Sequence, residues 1–578
     1  MKLNKLLPYL IIALLSIPAF FALLKPGYYN MHDDMQMIRQ LEFEKCLKDG
    51  QIPCRWTPDL DFEYGSPLFN FYPPMPYIVG QAIRTTGVSF VNTIKVTAII
   101  QIILAATFMY LLASSIFGPT GGILSALFYT YAPYHALNIY IRGAMNEAWA
   151  AVFFPLIFYF SRKLILEKKY KFVFGLAISF AGLFLSHNPM LLTFAPILII
   201  WCLFWLLTTF NKKNTLILNL KKQITPILKL LFSATLAFCL AAFFTLPVLI
   251  ETNLINVNEL FTNYFSFSGH FASLYQLFIS NFWGDGASTW GMNDGISFMI
   301  GYMHWIIPSL ILLFSIFLLI RKKSLDKKII ISLFVLIMGL FATFMIHNKS
   351  TFIWQIFSPI QKIQFPWRFL NHATFLFSLS IGVLPFIFKK YFNKKIITII
   401  TASIIVVLIL INVNYFKATK PFQLTDKDKF SGINWEQQIS AGISDYLPKT
   451  ASATAKTTAK AYIDNVDPKK ALVELSGQKK GTDWIFFNVS VSQDSKVIIS
   501  QLAFPNFEIT DNGQKIDYQI EPELGRMVIN LKTGDHQIYV KLKDTPIRTI
   551  SNYISLVAWI FVLGYFSLPL WNKLTLKK

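Results

Sequence analysis

A chain of 578 residues that is 54% hydrophobic and 16% aromatic, with a formal net charge of +22, does not have the composition of a soluble globular protein. Apolar runs of roughly 20 residues recur along it, and each is long enough to span a bilayer. The positive charge does not point to nucleic acid, because the lysines gather in short loops between apolar runs, the positive-inside pattern of a polytopic membrane protein.

The apolar stretch Leu6 to Leu24 is too long for the core of a signal peptide, and no small-x-small cleavage site follows it. It reads as a retained first helix. The loop 25–89 comes next, with His32, Asp33 and Asp34 a few residues past the helix end. Carboxylates are costly near hydrocarbon, so a pair at the membrane surface points to function. The competing reading makes Asp33 the N-cap of an interfacial helix whose face is Met35, Ile38 and Leu41. The same loop carries Cys46 and Cys54, which form a disulfide if it faces an oxidising compartment and are two free thiols otherwise. Cys202 and Cys239 fall inside apolar runs and read as packing residues. The loop closes on Tyr64 and the aromatic run Phe69-Asn70-Phe71-Tyr72-Pro73-Pro74.

Length and flanking charge predict twelve spans, at 6–24, 90–117, 120–137, 146–164, 171–187, 190–210, 226–250, 297–320, 329–347, 367–388, 395–413 and 552–571. With the N-terminus cytoplasmic, the basic clusters around Arg162 and Lys163, Lys212 and Lys213, Arg321 to Lys323, Lys389 and Lys390, and the tail Lys577 and Lys578 all fall inside. Outside lie 25–89, Tyr134–Asn146, 186–189, 251–296, 348–366 and an insert at 414–551. That insert begins with a polar linker that includes the low-complexity run Lys449 to Lys460. From Ala471 to Leu542 it alternates in short period-two runs, with turns at Asp511-Asn512-Gly513 and Thr533-Gly534-Asp535, which predicts a small antiparallel sandwich. The expected architecture is an all-α transmembrane domain over 1–413, a linker and β-sandwich over 414–551, and a final helix with a basic tail over 552–578.

Three further positions invite chemistry. Glu147 opens the fourth span, and Arg142, five residues upstream, either pairs with it to close the helix end or joins it in a site. Arg368 stands in Phe365-Pro366-Trp367-Arg368-Phe369 at the mouth of another span; it either snorkels or clamps a phosphate with its bidentate fork. His187 and His372 lie at similar depths, and a lone histidine there is more often a hydrogen-bonding residue than a ligand. The histidines show no H-x-H or HExxH pattern, and there is no GxxxxGK[ST] loop, which argues against a zinc site and against ATP-driven transport.

Several of these elements also occur together in a known family. They are His32-Asp33, Gly50 to Trp56, Tyr64 to Pro74, Arg142-Gly143-Ala144, His187-Asn188, Phe365 to Leu370, Phe504-Pro505 and Asp544 to Arg548. The chain resembles the prokaryotic integral membrane proteins labelled "6-pyruvoyl-tetrahydropterin synthase-related", which are similar to the GT-C superfamily of polytopic glycosyltransferases. A soluble pterin synthase needs a clustered-histidine zinc site, which this sequence lacks. The resemblance instead implies sugar transfer from a polyprenyl-phosphate donor to a glycan, lipid or protein acceptor, on the extracytoplasmic face of a prokaryotic cell membrane. It puts the catalytic carboxylate at Asp33 and leaves the role of Asp34 open.

The residue chemistry agrees with that implication. An inverting transfer needs a base, and its phosphate leaving group needs cations. The expected site therefore has Asp33, Asp34 and Glu147 as catalytic carboxylates and Arg368, Arg142 and His187 around the donor phosphate. His32, Tyr64, Phe71 and Tyr72 line the substrate, and a divalent cation, magnesium or manganese, on Asp33 is an option. The sequence also admits two rival readings: a lipid or sugar transporter or flippase, and a non-catalytic cell-envelope assembly protein. Against the first, the sequence shows no obvious repeated halves, and its polar groups gather at one face.

Overall fold

The computed structural model describes residues 3–575, apart from 212, 258–260, 290, 292, 323, 443–444, 460–461 and 466–472. Lys212, Lys323, Lys577 and Lys578 of the expected inner face therefore lie outside the described residues, as do Lys460 of the linker and Ala471 at the expected start of the sandwich. Among the described residues, ten helices are long and apolar enough to cross a membrane, from Leu6–Leu24 to Pro546–Ser567. The chain is thus mostly helical and multi-pass, with a β-sheet domain near its C-terminal end.

Two of the twelve expected spans are shorter than the sequence suggests. The segment 120–137 forms the 12-residue helix Pro119–Thr130. It stops because Ala132 precedes a proline, whose ring disfavours helical backbone in the preceding residue, and Ala132 is extended. The chain re-enters helix at Pro133–Ala136 and continues in a π-turn, Leu137–Ile141. The segment 171–187 forms the 15-residue helix Tyr170–Phe184, about 22 Å long at 1.5 Å per residue and short of the roughly 30 Å hydrocarbon core. The expected span 226–250 divides at Ala241 into Leu216–Leu240 and Ala242–Glu251.

The chain divides into two compact units. The first comprises Met1–Asp34, Val91–Phe238 and Phe261–Gln423. Its central element is Pro366–Phe388, which is mostly buried, whereas most of Leu6–Leu24 is not. Leu23, Leu124, Phe128, Ile381 and Leu408 pack into one apolar cluster around it. Polar groups inside that cluster find backbone partners, since an unsatisfied one is costly away from water. Tyr131 Oη donates to the Leu15 carbonyl (2.6 Å), Tyr140 Oη to that of Ala19 (2.8 Å), and Asn412 Nδ2 to that of Tyr131 (2.9 Å).

The second unit comprises Met35–Phe90, Cys239–Leu260 and Leu424–Lys578. Its first helix is Gln36–Lys48; the N-cap is Met35 and makes no side-chain cap bond, so Asp33 is not the cap. Met35 and Ile38 are buried rather than interfacial. Cys46 and Cys54 are joined in a disulfide with Cα atoms 5.4 Å apart, which resolves the pair the sequence left open.

The β-domain consists of a four-stranded sheet, in the order Ile463–Asn465, Ser495–Leu502, Arg526–Leu531 and Gln519–Ile520, and a five-stranded sheet. The five-stranded order is Val473–Lys480, Trp484–Val491, Gly534–Leu542, Phe507–Asp511 and Gln514–Ile516. All pairings are antiparallel. Alternate residues of both sheets, among them Phe487, Val489, Ile499, Ile529, Ile538 and Val540, share one core, as a sandwich requires. The Phe507–Ile516 hairpin turns on Asn512 and Gly513, whose φ of +48° and +81° suit a primed turn. Trp56 of the early loop packs into this core against Phe504 and Phe507.

Candidate functional site: a buried arginine–carboxylate cluster

The first unit gathers the ends of three helices around one carboxylate. Glu147 lies in the first turn of Met145–Glu167, His187 caps Asn188–Thr208, and Arg368 and Asn371 stand at the start of Pro366–Phe388. Asn146 Nδ2 donates to the Ser186 carbonyl (3.0 Å), and Asn371 Nδ2 lies 3.7 Å from Met190 Sδ, which ties the three ends together. Helix N-termini carry partial positive charge, so their convergence favours an anion.

Glu147, 1% exposed, is engaged through both oxygens. Its Oε1 accepts from Tyr134 Oη (2.6 Å) and from Asn371 Nδ2 (3.4 Å); its Oε2 accepts from Arg142 Nη1 (2.9 Å) and lies 3.4 Å from Arg368 Nε. Arg142 also donates to Asn138 Oδ1, and its guanidinium lies 4.5 Å from the Trp367 ring. Trp367 in turn stacks on Phe365 (4.8 Å) and Phe298 (5.5 Å). Arg368 Nη1 donates to the Ile363 carbonyl (2.7 Å) and to Gln364 Oε1 (2.9 Å).

Burial opposes the charge on Arg142, but the Glu147 carboxylate more than restores it, and Arg142 stays cationic. Burial, then the Glu147 charge, holds the Tyr134 phenol well above its ordinary range, so it remains a donor. Burial, then the Arg368 charge, lowers the His187 imidazole to about 3 and keeps it neutral; its Nδ1 accepts from the Met190 amide (3.2 Å). His372 is a hydrogen-bonding residue, 2.6 Å from Thr193 Oγ1.

Main-chain pairing brings the early acidic segment to this cluster. The His32 amide donates to the Ile141 carbonyl and the Asp33 amide to the Arg142 carbonyl, each at 2.9 Å. The strap passes against Gly143, whose φ is +64°; a Cβ there would lie 2.4 Å from Met31 Sδ and 3.2 Å from the Asp33 carbonyl oxygen. Asp33 is partly buried and adds to the field that keeps Arg142 charged. Asp34 is engaged elsewhere: together with burial it raises the Tyr28 phenol, to which it is hydrogen-bonded. His32 is exposed, with Nε2 3.0 Å from the Asp285 carbonyl.

Of the expected site, Asp33, Arg142, Glu147, His187 and Arg368 come together. Tyr64, Phe71 and Tyr72 belong to the second unit. There Tyr64 and Phe71 are buried, Phe71 stacked on Tyr446 (6.2 Å), while Tyr72 Oη accepts from Arg39 (2.9 Å). Tyr134, Asn138 and Asn371 are cluster members that the sequence reading does not single out. Asn371 carries a usable signal, being three residues past Arg368 on one helix face; Tyr134 and Asn138 carry none, because the short helix Pro133–Ala136 and the π-turn Leu137–Ile141 that present them are not visible in the sequence. Among the described residues, no three His, Cys, Asp or Glu side chains gather as a metal site.

No family model matches the sequence. A Lactococcus lactis subsp. cremoris (strain MG1363) protein, itself described only as uncharacterized, is 25% identical over 284 residues, 46% of this chain and 45% of that protein; the match thus spans less than half of the relative's length. Among solved structures, the apo oligosaccharyltransferase of Archaeoglobus fulgidus superposes with a TM-score of 0.41 at 11% identity, covering 72% of this chain and 56% of that one. Arabinofuranosyltransferase AftD from Mycobacteria gives 0.41 at 12% identity, covering 75% and 27%. Superpositions this loose relate no residue of the cluster to either protein.

Proposed function

We propose that this chain is a membrane glycosyltransferase that moves a sugar from a polyprenyl-phosphate-linked donor to an acceptor at the extracytoplasmic face. The observation that carries the reading is the juxtaposition of Asp33, strapped through the backbone to Arg142, with two arginines that share Glu147. Asp33 is the general base. As the acceptor oxygen attacks the anomeric carbon, its proton passes to the Asp33 carboxylate. The bond from that carbon to the phosphate oxygen breaks, and the lipid phosphate leaves with the electron pair and inverts the centre.

The leaving phosphate is a weak base, so it needs cations rather than a proton. Arg142 and Arg368 supply them, with the three helix ends adding to the field. Glu147 is a positioning residue: both its oxygens are occupied by the groups it holds in place. A donor buried in the bilayer explains a charged site set at the ends of apolar helices.

The test is turnover by the full chain in detergent, given radiolabelled polyprenyl-phosphate sugars and a membrane extract as acceptor. Asp33→Asn should cut transfer about 10²- to 10⁴-fold, the usual worth of a general base, without changing thermal unfolding. Equal turnover in Asp33→Asn, or none from folded wild-type protein with any donor, overturns the reading.

A further inference from the structure

The first unit holds a cavity of about 510 Å³ in the segment after Phe261, within the roughly 300–1,000 Å³ range of small-molecule sites. Its walls combine polar groups with aromatic rings. Gln276, Asn281 and Asp294 supply amide and carboxylate groups, while Tyr275, Phe282 and Phe298 supply rings; no lysine or arginine is among the described residues that line it. Asp294 is buried and its carboxylate is fixed: Oδ2 accepts from Gln276 Nε2 (2.7 Å), and Oδ1 accepts from Ser288 Oγ (3.1 Å) and the Thr289 amide (2.8 Å).

A phosphate entering this space would meet a fixed negative charge and no cation. A lipid chain would strip water from the exposed Asn281 amide without replacing its hydrogen bonds. A neutral sugar suits both features, since its hydroxyls donate as well as accept and its C–H faces lie on aromatic rings. Tyr275 and Phe282 are 64% and 48% exposed, placed to cover such a face, while Phe298 is buried. Phe298 also ties the cavity to the arginine cluster, because it stacks on Trp367, and Trp367 carries the Arg142 guanidinium.

We propose that this cavity binds the neutral saccharide of the acceptor, two ring contacts away from the arginines that receive the donor phosphate. The assignment rests on the glycosyltransferase reading above. It divides the substrates by charge: the phosphate goes to Arg142 and Arg368, and the uncharged sugar goes to Gln276, Asn281 and Asp294.

The test is saturation-transfer NMR on the full chain in detergent with methyl glycosides of hexopyranoses, N-acetylhexosamines and pentofuranoses. At least one glycoside should bind. Its signal should fall about five- to tenfold in Gln276→Ala and in Phe282→Ala, the scale of one lost contact. Asn281→Ala removes an exposed amide and guards against misfolding as the cause. No binding by any glycoside, or undiminished signals in all three variants, overturns the proposal. Displacement of the glycoside by polyprenyl-phosphate sugar would assign the cavity to the donor sugar and also overturn it. Donor turnover that is lost in Asp33→Asn, with no glycoside binding, would sink this inference and leave the proposed activity standing.

Discussion

Glu147→Gln is the substitution that most directly tests the cluster. The side chain is 1% exposed and is the carboxylate shared by Arg142 and Arg368. The glutamine keeps an acceptor for Tyr134 but removes the negative charge. The buried Arg142 and the largely buried Arg368 guanidinium groups then face each other across a neutral amide. Breaking a buried pair by neutralising one partner costs about 3–5 kcal/mol, and two cations depend on this one carboxylate, so the upper part of that range is expected. Arg142→Met should cost less, because Glu147 keeps Arg368 and Tyr134.

The double variant should be more stable than the sum of the single losses by about 2 kcal/mol, since removing a cation relieves the repulsion left by Glu147→Gln. The assay is thermal unfolding of the full chain in one detergent at one scan rate, followed by tryptophan fluorescence. A Glu147→Gln protein within about 0.5 kcal/mol of wild type, the range of a surface substitution, would refute the shared-carboxylate arrangement. So would strict additivity in the cycle.

Three further outcomes follow from named contacts. Gly143→Val should lose most transfer activity, because a Cβ at φ +64° would meet Met31 and push the Asp33 strap off Arg142; unchanged turnover would show that the strap does not position Asp33. Cys46→Ser with Cys54→Ser opens a loop with a sequence separation of 8, and loop-closure entropy puts the loss at about 2–3 kcal/mol, measurable as a lower unfolding midpoint that reducing agent reproduces in wild type. His536 donates to Asp511 Oδ2 (2.6 Å) and to the Lys532 carbonyl (2.8 Å), which only the cation can do at once; burial opposes the charge, but these two acceptors outweigh it and raise the imidazole above its ordinary range. That contribution is fully present below the unfolded histidine value of about 6.5 and is lost as pH rises through the raised folded value, so unfolding midpoints should fall across that window in wild type and not in His536→Gln.

Features that depend on neighbours along the chain were legible before folding is considered. Hydrocarbon thickness sets a length for apolar runs, so 90–117 and 395–413 coincide with the helices Phe90–Phe117 and Lys394–Asn412 to within a residue. Period-two alternation and the Asn512-Gly513 turn marked the strands from Trp484 to Leu542, because both signals are local. Where a span ends was less legible. Pro133 stops a helix that apolar composition alone would carry to residue 137.

Which charges meet depends on the folded chain. Arg142 and Glu147 are close in sequence, and their pairing was open to either reading; Arg368 is more than two hundred residues away, and nothing local directs it to the same oxygen. The rings at 64 and 71 show the converse. Their aromatic, proline-rich setting suggested a substrate wall, yet they are buried within the second unit, with Phe71 against Tyr446 and Phe504. Aromatic side chains fill any apolar interior equally well, so sequence cannot say which interior they fill. A buried carboxylate has no such freedom: it must find its cations, and the fold that brings Arg142 and Arg368 to Glu147 is what makes the cluster.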